Sequence, residues 1–416
     1  MKLKNNRNPI SVAEAVFRVV ERARRTGTET VPLAESYGRI LVEPLAATHD
    51  VPHFDRSPYD GFAIRSADSA GASRDRRIKF KVIDHIGAGD VSKVTIGDFQ
   101  AVRIMTGAAL PSGADAVVMF EQAIVTEHSF TIRKAFAPQE NLSLQGEDMR
   151  AGETVVPAGS FIHPGTVALL ATFGYGQVQV ARRPVVGILS TGTELLDVHS
   201  PLEPGKIRNS NGPMIAAQLA RMGIPYKMYD TAADQLEECL LTVREALVET
   251  DCLITTGGVS VGDYDYLPEI YEQIGADVLF NKVAMRPGSV TTVAVSEGAF
   301  LFGLSGNPSA CFTGFELFVR PALLKMMGAD KTYLPRTTAL LAEDYPIANP
   351  FTRFIRAVHD RTSVRPAGFN KSNAVSSIAR GNSLIVLPGG TRGYAAGDPV
   401  DVLLLGVEEG TDEWVL

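Results

Sequence analysis

A chain of 416 residues is longer than one hydrophobic core usually supports, so its length predicts two to four domains. Hydrophobic residues make up 45% and charged residues 21%, which is typical of a globular protein. The formal net charge of −7, from 40 basic and 47 acidic residues without a marked basic run, argues against a nucleic-acid binder. An anionic ligand would therefore depend on groups placed locally around it.

The 3 cysteines, Cys239, Cys252 and Cys311, show no CxxC spacing and no histidine-rich neighbourhood. This pattern argues against a zinc site or a disulfide framework and suits a reducing compartment. The basic stretch MKLKNNRNPISVAEAV is not followed by an apolar segment, and no run of about 18 apolar residues occurs. We therefore expect a soluble cytoplasmic protein without a signal peptide or a membrane span.

In chain order, SVAEAVFRVVERA predicts a helix, with Ser11 as its N-cap and Glu14 at the capping-box position. From Asp50 to about Ala137, short alternating runs such as IKFKVI and HSFTIRK, broken by Gly, Asp and Pro, predict a small β domain. The following GEDMRAGETVVPAGSFIHPGTVALLATFG returns to strand, turn and helix. We expect it to pack with the N-terminal helix, which makes the β domain an insertion between two halves of one domain.

A third pattern begins at Arg183, where the strands VVGILST, IPYKMYD, DCLITTGG and AFLFGLSG alternate with helical stretches. This alternation predicts a doubly wound parallel α/β domain. After Lys331, the segments TALLAED, RFIRAVH, NSLIVLP and PVDVLLL predict a C-terminal β domain. The expected multidomain α/β and β architecture has a discontinuous N-terminal domain at 8–50 plus 145–183, the inserted β domain at 51–144, the α/β domain at 184–328 and the C-terminal β domain at 331–416.

Three loops of unusual composition follow predicted strands of the α/β domain: STGTEL (190–195), TTGGVSVGDYD (255–265) and LSGNPSACF (304–312). Ligands of an open parallel sheet bind outside the carboxyl ends of its strands. Each loop alone is as readily explained by tight packing of its glycines, and Ser309 by a plain N-cap. Alternatively, the N–H groups of Gly306, Asn307 and Ser309 form an anion site at a helix N-terminus.

The same loops carry carboxylates, Glu194, Asp263 and Asp265, which would repel an anion. Taken singly, each is an ordinary solvated acid. Together on one rim they predict a hard divalent cation, since Mg²⁺ takes one or two carboxylates together with phosphate oxygens. A metal ion bound between the carboxylates and a phosphate would attract both groups, which otherwise repel each other. It would also assist transfer at a phosphate ester. Lys282 and Arg286, on one face of an extended segment, are either surface charges or anion-binding groups near this rim.

The ordered motifs DVPHFDRSPYDGFAIR (50–65), RIMTGAALPSGADAVVMFEQ (103–122), GEDMRAG (146–152), STGTEL, TTGGVSVGDYDY and SGNPSA together resemble the MoeA family, the bacterial relatives of the gephyrin E domain. The resemblance covers essentially the whole chain. It implies four domains and an elongated homodimer, with the active cleft between the α/β domain of one subunit and the inserted β domain of the other. It also implies insertion of molybdate into adenylylated molybdopterin, with Mg²⁺, release of AMP, and handover of the substrate by a molybdopterin adenylyltransferase.

The resemblance also implies a set of site residues, with Asp148 at the hinge between domains. The catalytic candidates are Asp60, Thr106, Glu194, Asp230 and Asp265. The candidates for substrate binding are Gly257, Gly258, Ser260, Lys282, Arg286, Ser305, Gly306, Asn307 and Pro308. The candidates for metal binding are Glu194, Asp263 and Asp265. Without the resemblance, turn capping would explain Asp60 and a structural role would explain Thr106 equally well.

The chain departs from the family pattern in three places. The usual KPGKP-like turn reads Arg286-Pro287-Gly288-Ser289-Val290, the usual LPGNP reads LSGNP with Ser305, and Ser143-Leu144-Gln145 replaces arginines before GED. These changes remove positive charge and are expected to loosen the loop at Ser305. Two alternatives to the transferase therefore stay open: a paralogue that binds molybdopterin or a related pterin nucleotide without efficient insertion of molybdenum, and an interaction scaffold.

Overall fold

The computed structural model describes residues 8–232, 236–258 and 266–406. The chain divides into two compact units. The large unit comprises the described residues of Met1–Glu43, Ala158–Val167 and Gln177–Leu416, and the insertion unit comprises Pro44–Pro157 and Ala168–Gly176. The four domain boundaries derived from the sequence stay a prediction. Among the described residues, no helix has the length and apolar character needed to cross a membrane.

The helices of the described chain are mostly short. They are α1 Val12–Arg22, α2 Pro164–Thr172, α3 Asn211–Arg221, α4 Leu236–Glu249, α5 Leu267–Gln273, α6 Pro308–Gly314, α7 Arg320–Met326 and α8 Ser376–Arg380. A π-helical segment, Phe315–Val319, connects α6 to α7. Single 3₁₀ turns occur at Leu33–Glu35, Ser66–Ser69 and Phe120–Gln122.

The strands occur throughout the chain. They are β1 Thr28–Pro32, β2 Leu45–Ala46, β3 Gly61–Ile64, β4 Ile78–Ile86, β5 Gln100–Ile104, β6 Ala116–Met119, β7 Ala123–Val125, β8 Ser129–Ile132, β9 Thr154–Val156, β10 Gln177–Ala181, β11 Val186–Thr191, β12 Leu195–Leu196, β13 Ile207–Arg208, β14 Tyr226–Ala232, β15 Cys252–Thr256, β16 Asp277–Phe280, β17 Met285–Arg286, β18 Thr292–Ser296, β19 Ala299–Leu304, β20 Arg336–Leu341, β21 Thr352–His359, β22 Ser363–Pro366, β23 Ser383–Leu387 and β24 Pro399–Leu404.

Helix α1 begins at the predicted cap. Ser11 Oγ accepts a hydrogen bond from the Glu14 N–H at 3.1 Å, as an N-cap residue does. The Glu14 carboxylate accepts a hydrogen bond from Arg18 Nε at 2.7 Å rather than closing a capping box. Strand β1, which follows this helix, pairs antiparallel with β10. The N-terminal segment is therefore joined to the segment that follows the insertion.

The insertion unit is built on a sheet with the strand order β6-β3-β5-β4-β8-β7, in which only β4 and β5 pair in parallel. Alternate residues of β3 face opposite sides, so Phe62 and Ala63 belong to different hydrophobic clusters. Phe62 stacks on Phe130 with ring centroids 4.0 Å apart. A second, two-stranded sheet pairs β2 with β9. The alternating pattern in this region correctly predicted a β structure.

The α/β sheet of the large unit has the order β14-β11-β15-β19-β18-β16. Strands β14, β11, β15 and β19 are parallel. Strands β11 and β15 are buried along their whole length, as expected for strands covered on both faces. Leu253 of β15 belongs to a cluster with Val243 of α4, and its neighbour Ile254 belongs to another cluster with Leu219 of α3. Helices therefore cover both faces, which confirms the doubly wound architecture.

The edge of this sheet formed by β18 and β16 is antiparallel, which the alternation of strands and helices did not predict. The cause is the connection between β18 and β19, which consists only of Glu297 and Gly298. Both residues have positive φ, 51° and 96°, as in the tight turns that join antiparallel strands. A parallel connection would need a crossover of a dozen or more residues.

The C-terminal strands close into a small barrel in the order β21-β22-β20-β24-β23, because β23 also pairs with β21. Its core contains Leu341, Ile355, Val364, Ile385 and Val402. Strand β17 adds to β21 in parallel, which places Arg286 opposite Arg353. This pairing attaches the barrel to the chain that leaves the α/β sheet after β16.

Gly61 in β3 provides a test of the insertion unit. A Cβ added there would lie 2.1 Å from the carbonyl oxygen of Val118, which is backbone and cannot move aside alone. We expect Gly61→Ala to destabilise the insertion unit by roughly 1–3 kcal/mol or more, as overpacking does. The measurement is the free energy of unfolding in urea. Gly176→Ala is the control, because a Cβ there meets nothing within 4 Å. Equal stability of the two variants would contradict the packing described for β3.

Candidate functional site

The three loops singled out in the sequence leave one edge of the α/β sheet. In the parallel register, Ser190 of β11 lies opposite Thr256 of β15, which lies opposite Leu304 of β19. The Gly257 N–H donates a hydrogen bond to the carbonyl oxygen of Leu304 at 3.2 Å, which ties the second loop to the third. We call the described residues 190–195, 255–258 and 304–309 the rim. The prediction that these loops lie together is confirmed for these residues.

The rim glycines are required by close packing. Gly257 has φ +88°, and a Cβ there would lie 2.6 Å from the carbonyl oxygen of Thr191. Gly258 also has a positive φ of +63°. Only glycine adopts such a conformation at little cost. The glycine pair thus lets the second loop approach the first, and a packing role accompanies any ligand role.

Of the predicted metal-binding set, Glu194 lies within the described residues, whereas Asp263, Asp265 and the substrate-binding candidate Ser260 lie outside them. Asp230 is in β14, and its side chain lies outside the described part. Glu194 is exposed, and its carboxylate folds back over Gly192. Within the described chain, no cluster of three or more His, Cys, Asp or Glu residues is arranged to hold a metal ion. One exposed carboxylate nevertheless suits Mg²⁺, which fills its other positions with water and phosphate oxygens.

The loop before α6 differs from the predicted anion site. Asn307 is the N-cap residue, and its N–H donates to Ser305 Oγ at 3.2 Å. The Ser309 N–H donates to the carbonyl oxygen of Ser372 at 3.0 Å, and its hydroxyl donates to that of Ala374 at 2.6 Å. The N–H groups of Asn307 and Ser309 therefore have partners within the chain, which argues against an anion bound by these two groups, and the role expected of the Gly306 N–H stays a prediction. Ser309 is also not an N-cap, because its hydroxyl bonds to the C-terminal segment.

Asn211 lies beneath the same loop and was missed by the sequence analysis. Its Nδ2 donates to the carbonyl oxygen of Gly306 at 2.8 Å. Its Oδ1 is buried and has no hydrogen-bond partner among the described residues. A buried acceptor of this kind is usually satisfied, so it is available to a donor from water or ligand. A lone Asn at a helix start gives no sequence signal for this role.

Lys282 and Arg286 lie on the same side of an extended segment. Val283 and Met285 between them are fully buried, whereas Lys282 is half-buried and Arg286 is exposed. This alternation agrees with the common face expected from their spacing. The segment is fixed by β17 and by hydrogen bonds between Ile10 and residues 282 and 284.

Arg286 lines a cavity of about 450 Å³, which we call the cationic cavity. Its walls come from the turn after β17, the loop before α6 and the C-terminal barrel. They comprise Arg286, Pro287, Gly288, Ser289, Val290, Ser305, Asn307, Ala310, Arg353, Phe354, Ile355, Asn370, Lys371, Ser372 and Asn373. Among these described residues, three side chains are cationic and none is a carboxylate. The cavity is therefore suited to an anion.

The barrel supplies two of the three cations, Arg353 and Lys371. Arg353 Nε donates to the neutral Asn349 Oδ1 at 2.7 Å, and Lys371 Nζ lies 5.6 Å from the ring centroid of Phe369. Neither forms an ion pair with a described residue. Neither was predicted from the sequence, because both come from another domain and reach the cavity through the pairing of β17 with β21. The polar stretch NKSN at 370–373 was the available signal.

In the insertion unit, Asp60 and Thr106 form a direct pair. Asp60 Oδ1 accepts hydrogen bonds from the Thr106 N–H at 2.7 Å and from its hydroxyl at 2.8 Å. These bonds, led by that of the N–H, hold the pKa of the Asp60 carboxyl below its usual range, and the charge of Arg103 adds to the effect. Both residues are exposed. The bonds run to a residue 46 positions later in the chain rather than to the turn that contains Asp60, and they fix an ionised carboxylate at the surface.

Comparison with known proteins agrees with this architecture. Residues 10–174 match the MoeA N-terminal region (domain I and II), residues 187–325 a probable molybdopterin binding domain, and residues 338–405 the MoeA C-terminal region (domain IV). A molybdopterin molybdenumtransferase of Staphylococcus aureus strain Mu50 is 56% identical over 414 residues, 99% of each chain. The chain belongs to the MoeA family. A molybdopterin molybdenumtransferase of Staphylococcus epidermidis strain ATCC 12228 is 57% identical over the same length.

A solved structure supports the same assignment at the level of the fold. The molybdopterin biosynthesis moeA protein of Pyrococcus horikoshii OT3 superposes with a TM-score of 0.84 at 30% identity. The match covers 95% of this chain and 100% of that one. The multidomain fold with an α/β domain and a C-terminal β domain is thereby confirmed as that of the MoeA family.

The departures from the MoeA pattern have local structural counterparts. Ser305 supplies the hydroxyl that binds the Asn307 N–H, a contact that proline cannot make. In the insertion unit, Ser143 donates to Glu147, and Gln145 Nε2 donates to Asp50 Oδ2 at 2.8 Å. The segment that lacks arginines is therefore hydrogen-bonded to acidic side chains. Beside it, the Asp148 N–H donates to the carbonyl oxygen of Val51 at 3.0 Å, and its exposed side chain lies on this turn.

The Asp60–Thr106 pair predicts a pKa change that can be measured. Thr106→Val removes the hydroxyl donor but keeps the N–H donor, so the pKa of the Asp60 carboxyl should rise part of the way towards its ordinary value. Thr106→Ser keeps both donors and should leave this pKa low. The measurement is a titration of the Asp60 carboxyl ¹³C chemical shift. An identical titration curve for the Val and Ser variants would show that the hydroxyl does not stabilise the carboxylate.

Proposed function

We propose that this MoeA family member is a molybdopterin molybdenumtransferase that acts in molybdenum cofactor biosynthesis. In the proposed reaction, molybdate is inserted into adenylylated molybdopterin and AMP is released. The curated relatives that carry this name align over nearly the full chain, which supports the assignment. We also propose that the protein works in the cytoplasm and receives its substrate from a molybdopterin adenylyltransferase.

The cationic cavity is the observation that carries this proposal. Molybdate and the phosphates of a nucleotide are anions, and the described walls hold Arg286, Arg353 and Lys371 without a carboxylate. A guanidinium donates two parallel hydrogen bonds to an oxyanion, and such charge-assisted bonds are stronger than neutral ones. The volume of about 450 Å³ lies in the range of about 300–1,000 Å³ that is usual for small-molecule sites. We infer that an oxyanion of the reaction binds there.

The same cavity weakens the alternative of an inactive paralogue. That alternative rested on positive charge lost at Ser289 and near Ser143. The described structure places Ser289 in the wall of the cationic cavity, where Arg353 and Lys371 of the barrel provide positive charge. The positive side chains that would bind an anion are thus supplied by the C-terminal barrel. The charge at the site depends on the fold as a whole rather than on one turn.

Glu194 at the rim would hold Mg²⁺ together with phosphate oxygens of the substrate. When bound, the ion would neutralise negative charge that develops on the phosphate as AMP leaves. The exposed carboxylate of Glu194 supplies one hard oxygen ligand. Asp263 and Asp265 are proposed as further ligands on their sequence position.

The Asp60–Thr106 pair is proposed to act in a homodimer. In this arrangement the insertion unit of one subunit faces the α/β domain of its partner. The support on this chain is an exposed carboxylate whose position and low pKa are fixed by Thr106. An ionised group held rigidly in this way can position a reacting ligand without itself reorganising.

Arg353→Met tests the cationic cavity. The change removes a charged donor and keeps an apolar stem of similar length. Hydrogen bonds to charged groups contribute about 1.5–3 kcal/mol, so the KM for molybdate should rise roughly 10- to 100-fold. The measurement is molybdate-dependent release of AMP. Arg365→Met is the control, because Arg365 is exposed on β22 of the same barrel and does not line the cavity. An unchanged KM in Arg353→Met would refute the proposed anion site.

Glu194→Gln tests the metal assignment. Loss of a charged oxygen ligand should raise the Mg²⁺ concentration needed for half-maximal AMP release by roughly tenfold or more. Direct titration of Mg²⁺ binding in the presence of AMP provides a readout that does not depend on turnover. Glu203→Gln is the control, since Glu203 is an exposed acid in the segment between β12 and β13. Equal Mg²⁺ requirements in the two variants would remove Glu194 from the metal site.

A further inference from the structure

The large unit contains a second, smaller cavity of about 210 Å³, which we call the arginine pocket. It is lined by side chains that include Tyr37, Phe161, Arg183, Arg221, Arg320 and Met327. Arg183 precedes β11 and Arg221 ends α3, so the pocket lies at the amino ends of the strands. The rim lies at their carboxyl ends. The arginine pocket is therefore separate from the proposed transferase site.

One side of the arginine pocket is apolar. Tyr37 and Phe161 meet edge to face, with ring centroids 6.3 Å apart. Ile40, Leu324 and Met327 are buried around them. Tyr37 is 52% exposed, which leaves part of its ring open to solvent. Aromatic rings and a methionine thioether favour contact with another flat, apolar group.

The other side of the pocket carries an excess of positive charge. Arg183, Arg221 and Arg320 line it, and the charge of the buried Arg39 repels that of Arg183. Glu29 accepts a hydrogen bond from Arg39, and Glu316 accepts one from Arg221 at 2.6 Å and also attracts Arg320. Among the described residues that line the pocket, three side chains are cationic and none is a carboxylate. The lining therefore suits an anion.

Arg183 lines the pocket and is attracted by the carboxylate of Glu29. Its guanidinium donates to the carbonyl oxygen of Gly38 at 3.1 Å, and it forms no ion pair within the described chain. It packs over Gly223, where an added Cβ would lie 2.7 Å from Nη2. Burial lowers the pKa of Arg183, and repulsion from Arg39 lowers it further. The side chain is thus held in place beside the cavity with donors left for another partner.

We propose that the arginine pocket is a second ligand site, which binds a small anion, a carboxylate or a phosphate, attached to an aromatic ring. The anionic group pairs with Arg183, and the ring contacts Tyr37 and Phe161. The volume is below the range of about 300–1,000 Å³ typical of larger ligands, so the ligand is about the size of phenyl phosphate or benzoate. The site goes beyond the proposed transferase function and does not depend on it.

The test is calorimetric titration of the full chain with phenyl phosphate. It is done in the Arg353→Met background, so that binding in the cationic cavity is weakened and contributes less. We expect one phenyl phosphate per chain, with a Kd that Arg183→Met raises roughly tenfold or more, because a charged donor is lost. Arg183→Lys keeps the charge but loses the forked donor, so its Kd should lie between the two. Arg244→Met is the matched control: Arg244 is exposed on α4 and lines a different hollow.

Two further probes test separately the contributions of the anionic group and of the aromatic ring. Benzyl alcohol lacks the anion and inorganic phosphate lacks the ring, and both should bind more weakly than phenyl phosphate. Benzoate in place of phenyl phosphate shows which anion is preferred. A Kd unchanged by Arg183→Met, or inorganic phosphate that binds as tightly as phenyl phosphate, would overturn the proposal. A further outcome would also overturn it: the Arg353→Met protein does not bind phenyl phosphate, and adding Arg183→Met changes the mass measured by sedimentation. The pocket would then be covered by a second copy of the chain.

Discussion

The site depends on the parallel pairing of β11, β15 and β19. Because these strands run in one direction and in register, Ser190, Thr256 and Leu304 end at one edge of the sheet. Loops from distant parts of the sequence then have to share a narrow space. Gly257 permits this, since any Cβ there would collide with the carbonyl oxygen of Thr191. A single shift of register would separate the loops and turn buried side chains of β15 towards the wrong face.

Acidic and basic groups are divided between parts of the large unit. The rim contributes the exposed carboxylate of Glu194, and the cationic cavity contributes Arg286, Arg353 and Lys371. Parallel pairing of β17 with β21 places Arg286 opposite Arg353, so the barrel takes part in the site rather than serving only as a support. An overall charge of −7 is compatible with an anionic substrate, because the fold concentrates positive charge in the cationic cavity although the chain as a whole is acidic.

Sequence patterns predicted the elements whose signal is local. The cap of α1 at Ser11, the apolar strands of the α/β sheet and the β character of the insertion and of the C-terminal segment follow from periodicity and turn residues. The antiparallel edge of the sheet depends on a two-residue turn at Glu297, which the alternation of elements does not reveal. Arg353 and Lys371 reach the cavity only through tertiary packing of a separate domain. The sequence pattern at Asn307 and Ser309 predicted free N–H groups for an anion. It does not show that Ser305 Oγ and the Ser372 carbonyl oxygen accept hydrogen bonds from these two groups in the folded chain.

The most direct test of the account is reconstitution of a molybdenum-free molybdoenzyme by the purified protein. The mixture contains adenylylated molybdopterin, Mg²⁺ and the apoenzyme, with or without molybdate, and AMP is measured in parallel. We expect enzyme activity and AMP release that both require molybdate. Tight binding of adenylylated molybdopterin without AMP release or activity would contradict it, and would identify the chain as a pterin-binding member of the MoeA family that does not insert molybdenum.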